Sequence, residues 1–292
     1  AGYEASNVLP ETDFSPYYSL GETQAFHVLS YRDPLDTTDQ DGYFLLMLAP
    51  GIQEETLPIP KDLILVLDRS GSMDGDKFRQ AQQALDFILR HLNPGDRFNI
   101  ISFSTGTERF ANRLRPAEDA SNARTWVSGL RAEGSTDINR ALLEAADMVD
   151  NERPTYLIFL TDGLPTEGVT ESTRILSNFA AAASPDLRLF VFGVGYDVDT
   201  YLLDSLAQEH HGTSAYVLPE DKLDEILSTF YARISTPVLT ELELDFGGLN
   251  TFDLYPYPLP DLFAGSQVLV VGRYREGGRV DVTLSGEANN QR

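Results

Sequence analysis

Between Asp62 and Ile234 short apolar runs alternate with stretches of helical periodicity, and this alternation constrains the fold more than any other feature of the chain. The runs Leu63–Leu67, Arg97–Phe103, Tyr156–Thr161, Arg188–Val194 and Ser214–Val217 have the length and near-continuous apolar character of strands buried on both faces. Between and after them, Lys77–His91, Ala120–Leu130, Ile138–Val149, Ser172–Ala183, Thr200–Glu209 and Lys222–Ala232 read as amphipathic helices. Strands that carry no polar face need helices on both sides of the sheet. The expected fold is therefore α/β, a doubly wound and mostly parallel sheet.

The two ends of the chain have a different pattern. Residues 1–57 contain no convincing helix but do contain TDQDGYFLLML, in which Asp41 and Gly42 are expected to form a tight hairpin turn. Downstream, LTELELDF and RVDVTLS alternate polar and apolar residues as half-buried antiparallel strands do, with SQVLVVGRY between them. Neither end alone has enough strands for a stable sandwich. The expectation is a β-sandwich split between residues 1–57 and 237–292, with the α/β domain at 58–236 inserted into it and Pro58, Pro60 and Pro237 at the junctions.

An open parallel sheet binds ligands at the carboxyl ends of its strands. Three loops at that end carry oxygen-bearing side chains: DRSGS holds Asp68, Ser70 and Ser72, GSTD holds Thr136, and LTDG holds Asp162. Two carboxylates and three hydroxyls are hard donors, and with waters they suit the octahedral shell of magnesium or manganese. If the three hydroxyls coordinate directly, the two carboxylates just balance a divalent ion, which then attracts an outside anion. A plainer reading has Ser70 and Ser72 cap the following helix while Thr136 and Asp162 make turns, but capping does not require three loops to agree. Asp74 and Asp76 are read as acids at a helix N-terminus.

Other chemistries fare worse. The formal charge of -23 repels phosphate backbones and anionic membranes, which argues against nucleic acid as a partner. The absence of cysteine removes disulfides, thiolate metal sites and thiol nucleophiles. No apolar run approaches the roughly 18 residues of a membrane span, so direct membrane insertion is not expected. Nor does the N-terminus have the basic and apolar regions of a signal peptide. In the acidic stretch Asp33–Gly42, an EF-hand register with Gly42 sixth puts Leu48 at a ligand position, so a solvated hairpin turn is expected there, with irregular calcium binding left open. Gly193 and Gly195 mimic a dinucleotide loop, but Val198 stands where a third glycine belongs. An aspartyl-phosphate phosphatase would want an acid where Ser70 stands, and no histidine is placed by sequence beside the three loops. Binding rather than catalysis is expected.

The DRSGS stretch matches the DxSxS signature of the von Willebrand factor A domain, and Thr136 and Asp162 follow in the order of that family's metal-ion-dependent adhesion site. The resemblance implies that Ser70, Ser72 and Thr136 contact a metal directly while Asp68 and Asp162 often act through water. DGYFLLMLAP and YPYPLPDLFAGSQVLVVGRY resemble the segments that bracket this domain in inter-alpha-trypsin inhibitor heavy chains and their bacterial relatives. Those relatives usually carry a preceding VIT domain, which 57 residues are too few to hold whole. The resemblance implies an extracellular or cell-surface module that captures a carboxylate of a protein or glycan through magnesium, or else manganese or calcium. Two other readings stand beside it: a structural or assembly component whose ion only rigidifies the loops, and a metal-assisted hydrolase.

Overall fold

The structure is a computed structural model that describes residues 25–33, 41–49, 60–218, 221–234, 237–263 and 267–287. Two strands come first, β1 (Ala25–Tyr31) and β2 (Gly42–Ala49). The central part follows as β3 (Asp62–Asp68), α1 (Asp76–Arg90), β4 (Arg97–Phe103), β5 (Thr107–Arg109), β6 (Arg115–Pro116), α2 (Ala120–Gly129), α3 (Ile138–Ala146), β7 (Thr155–Thr161), α4 (Ser172–Ala182), β8 (Leu187–Val194), α5 (Thr200–Glu209), β9 (Ser214–Val217) and α6 (Leu223–Ile234). The chain ends in β10 (Pro237–Asp245), β11 (Asn250–Tyr255), β12 (Leu262–Phe263), β13 (Val268–Arg275) and β14 (Thr283–Glu287).

The central sheet runs β5-β4-β3-β7-β8-β9, with β6 also pairing with β4. From β4 to β9 the pairings are parallel, and every residue of β3, β7 and β8 is buried, which is why these strands show no alternation in sequence. Helix α1 buries Phe78, Ala81, Leu85, Ile88 and Leu89 along one stripe. With α2 and α6 it covers one face of the sheet, and α3, α4 and α5 cover the other. Strands β5 and β6 lie antiparallel on the outer side of β4 and went unanticipated, being short and polar. Arginines in both make poor templates for further strand pairing at this edge.

From β3 the chain crosses to β4 on one side, whereas β7, β8 and β9 accumulate on the other. The loops leaving β3 and β7 therefore diverge, and a crevice opens between the carboxyl ends of the two strands. Asp68 ends β3, and Asp162 directly follows β7.

Strands from both ends of the chain share a four-stranded antiparallel sheet, β1-β2-β13-β11, and a three-stranded sheet, β12-β10-β14, accompanies it. Phe44, Leu46, Leu48, Val268 and Val270 of the first pack with Leu242 and Leu262 of the second, and with Leu259 of the β11–β12 connection, in one core. The expected turn at Asp41 and Gly42 is not formed. Gly42 is the first residue of β2 and pairs with Tyr274, whose ring covers it so closely that a Cβ would collide. Asp41 instead accepts from Arg273 at 3.1 Å. The β1–β2 pairing is antiparallel, with Tyr31 opposite Tyr43, across a longer connection. Residues 34–40, which carry most of the acidic stretch weighed for calcium, lie outside the described residues.

Arg188 at the start of β8 joins the two parts. Its Nε donates to Asp261 Oδ2 at 2.8 Å and its Nη2 pairs with Glu241, while Phe263 packs edge-on against Tyr156 and Phe190. No helix among the described residues is long and apolar enough to cross a membrane.

Candidate metal centre

The site starts from a buried acid. The apolar run of β3 carries Asp68 to the strand tip with no solvent exposure, where Oδ1 accepts from the Ser70 backbone N–H at 2.7 Å and Oδ2 accepts from Thr161 Oγ1 at 2.5 Å. Burial pushes its carboxyl up to about 6, against the opposing pull of the Thr161 and Ser70 hydrogen bonds, and the nearby Asp162 adds to the rise.

After Asp68 the chain tightens into a 3-10 turn, Gly71–Met73, anchored by Gly71 N–H donating to the Gly134 carbonyl at 3.0 Å. Neither serine caps a helix: the residue before α1 is Gly75, and Ser70 makes no capping bond to the turn it precedes. Instead Ser70 Oγ and Ser72 Oγ lie 3.1 Å apart, and Ser72 Oγ donates to Asp162 Oδ1 at 2.8 Å. The other oxygen of Asp162 accepts from Lys77 Nζ at 2.8 Å. Of the acids read as belonging to a helix start, Asp76 is the first residue of α1 and pairs with Arg79, and Asp74 closes the preceding turn.

Thr136 arrives from the second loop. Its N–H donates to Thr166 Oγ1 at 2.9 Å, and its carbonyl accepts from the N–H groups of Thr166 at 2.9 Å and Glu167 at 3.2 Å. Its neighbour Asp137 caps α3 by accepting from Arg140 N–H at 3.0 Å, which fixes the loop where the helix begins. A Cβ placed on Gly163 would stand 3.8 Å from both Ser72 Oγ and Thr136 Oγ1, so the two hydroxyls lie about one point beside this glycine. Ser70, Ser72, Thr136 and Asp162 line a single cavity of about 500 Å³, together with Lys77, Leu164 and Tyr196. Asp68 lies beneath it, tied to the floor through Ser70 and Thr161.

Three hydroxyls and the Asp162 carboxylate on one cavity, with the Asp68 carboxylate beneath it, fit a hard, oxygen-seeking divalent cation. Among the described residues there is no cluster of three or more carboxylate, imidazole or thiol groups placed to hold a metal, so a metal here would rely on hydroxyl oxygens. No imidazole lines the cavity. His91 and His210 follow the ends of α1 and α5, and His27 is in β1.

Sequence reasoning missed Lys77, Thr161 and Thr166. Thr161 has a readable signal, a hydroxyl closing the apolar run TYLIFLT immediately before the site acid. Lys77 has one as well, since a lysine in the first turn of a helix opposes the helix dipole.

A sequence model of the von Willebrand factor type A domain matches residues 61–216. Inter-alpha-trypsin inhibitor heavy chain H4 of Homo sapiens is 32% identical over 265 residues, covering 86% of this chain and 28% of that protein. Heavy chain H2 of Sus scrofa is 29% identical over 245 residues, covering 80% and 26%. The chain thus spans little more than a quarter of the curated relatives it matches. Among solved structures, a von Willebrand factor type A protein from Catenulispora acidiphila superposes with a TM-score of 0.67 at 18% identity, covering 93% of this chain and 72% of that one. The ArnB paralog VWA2 from Sulfolobus acidocaldarius gives 0.59 at 18% identity, covering 92% and 73%. At that identity the likeness concerns the fold.

Proposed function

This chain belongs to the von Willebrand factor type A family, and we propose that it is a binding module in which Asp68, Ser70, Ser72, Thr136 and Asp162 hold a divalent cation. Magnesium fits the donors best, with manganese or calcium as alternatives. When bound, the cation supplies an open coordination position for a carboxylate of a protein or glycan partner. The observation that carries this reading is the meeting of Ser70, Ser72, Thr136 and Asp162 on one cavity above the buried Asp68.

The protein's own residues prepare the site. Thr161 and the Ser70 N–H hold Asp68 in one orientation, Ser72 and Lys77 fix the two oxygens of Asp162, and Thr166 fixes Thr136. The side chains lining the cavity include no imidazole, and its carboxylates are Asp162 and the exposed Asp197; we read the site as one of binding rather than turnover. We place the module outside the cell or on its surface, as the resemblance to the heavy chains implies. We further assign residues 58–236 to the family domain and 1–57 with 237–292 to a split β-sandwich.

The test uses magnesium and the small dicarboxylate N-acetylaspartate. Wild-type protein takes up magnesium and then binds N-acetylaspartate, a chelator abolishes both, and Asp68→Ala or Thr136→Ala loses both. Binding of N-acetylaspartate that survives chelator and both substitutions overturns the reading.

One observation favours a second reading, in which the flanking sheets make the relevant contact. Across β1, β2, β13 and β11 the residues Leu29, Leu45, Val271 and Tyr255 stand in register on the face away from the core, and Leu29 is 60% exposed and Tyr255 62%. Exposed apolar rows of this kind mark contact surfaces. On that reading magnesium raises thermal stability, yet the Mg2+-loaded protein binds no N-acetylaspartate.

A further inference from the structure

Lys77 is a cation set against the candidate cation site. Its Nζ lies 2.8 Å from Asp162 Oδ2; the Lys77 side chain is 35% exposed and that of Asp162 fully buried. It is the second residue of α1, where a positive charge meets the positive end of the helix dipole, so helix stability does not explain it. A glycine in the left-handed region stands beside it. Gly195 has φ +97°, and a Cβ there would stand 3.4 Å from Lys77 Nζ.

Charge counting gives this pair a role. Asp68 and Asp162 contribute two negative charges, which a divalent cation cancels, the hydroxyls of Ser70, Ser72 and Thr136 contribute none, and the exposed Asp197, which also lines the cavity, contributes a third charge screened by solvent. Without Lys77 the ion and its two carboxylates are neutral together, and beside Asp197 they attract an anion only through the local geometry of the ion. Lys77 adds one positive charge beside the ion in a partly desolvated cavity, where charge interactions exceed their strength in bulk water. We propose that Lys77 sets this excess charge: it weakens uptake of the cation and strengthens capture of the partner's carboxylate by the loaded site. The inference rests on the proposed cation-binding reading and assigns Lys77 as a positioning and specificity residue within it. Because the whole chain carries -23, the local excess suits an isolated carboxylate better than a polyanion, which the rest of the surface repels.

The two effects have opposite signs, and a merely structural residue would not produce that. In Lys77→Met of the full chain, magnesium uptake measured by calorimetry tightens roughly tenfold. In the same variant, affinity of the magnesium-saturated protein for N-acetylaspartate, followed by backbone amide NMR shifts, weakens by about the same factor. Lys77→Arg keeps the charge and behaves as wild type in both. A thermal melt of each variant establishes that it is folded. If Lys77→Met weakens magnesium uptake, or moves both affinities in one direction, or moves neither, the role of Lys77 is overturned while the cation site stands. If the wild type takes up no cation, or takes it up without binding N-acetylaspartate, the proposed function fails and this inference fails with it.

Discussion

Thr161 donates its hydroxyl to Asp68 Oδ2 at 2.5 Å, joining the last residues of the two strands that flank the crevice. The bond shows how a buried acid is tolerated at a strand tip. One oxygen is satisfied by the next strand and the other by the Ser70 N–H, yet burial still outweighs both and lifts the carboxyl to about 6. The site holds a carboxylate that the fold alone does not fully stabilise.

The first prediction follows from that imbalance. The carboxyl is raised from an ordinary 3.8, so the cation-free native state binds more protons than the unfolded chain between pH 3.8 and about 6. Asp68's favourable contribution is therefore complete below pH 3.8 and is lost as pH rises through about 6. At neutral pH the ionised group costs about 3 kcal/mol. Asp68→Asn can keep the Ser70 bond through its oxygen and donate to Thr161 instead, so it raises the melting temperature of the chelated protein at pH 7. The same substitution abolishes stabilisation by magnesium, and scanning calorimetry with and without the ion reads both effects.

His210 gives a second pH dependence with a separate origin. Burial, with His211 adding to it, lowers its pKa from 6.5 to about 4, and its ring stands edge-on to Phe179 with Nε2 unpartnered. The unfolded chain takes up the proton first, so stability falls as pH drops from 6.5 through about 4. The loss attributable to this group is about 3 kcal/mol. His210→Phe removes that part of the acid slope in urea titrations between pH 7 and pH 4, with no effect on magnesium uptake.

Arg188 and Asp261 form a buried pair between the α/β part and the flanking sheets, and burial raises the pKa of Asp261 despite the arginine. Arg188→Met strands Asp261 without its counter-charge and costs about 3–5 kcal/mol by chemical denaturation. The double variant Arg188→Met with Asp261→Leu recovers much of that loss. Failure of the double variant to recover would mean that shape rather than charge governs this junction.

The sheet and its helices were legible because their burial is one-sided or complete: the expected ends of Arg97–Phe103, Thr200–Glu209 and Ser214–Val217 coincide with the observed ones. Asp68, Ser70, Ser72 and Asp162 were legible as oxygen donors at or just past strand ends, where apolar patterning makes a polar residue conspicuous, and Thr136 as a hydroxyl just before the start of α3. Lys77 shows in sequence only as a cation in the first turn of α1, and the fold alone brings it to Asp162, far away in sequence. The Asp41–Gly42 turn failed for a related reason. The dipeptide is a good turn former, but the long-range pairing of Gly42 with Tyr274 outweighs its local preference. Strands β5 and β6 are held by β4 rather than by their own composition.

The central claim is that five side chains on three loops together hold a divalent cation. Isothermal titration of magnesium into chelator-stripped wild-type protein and Thr136→Val at pH 7.5 tests it most directly. One saturable site is expected in the wild type, with uptake at least about tenfold weaker in the variant. Equal uptake by the two proteins, or none of magnesium, manganese or calcium by the wild type, would contradict it.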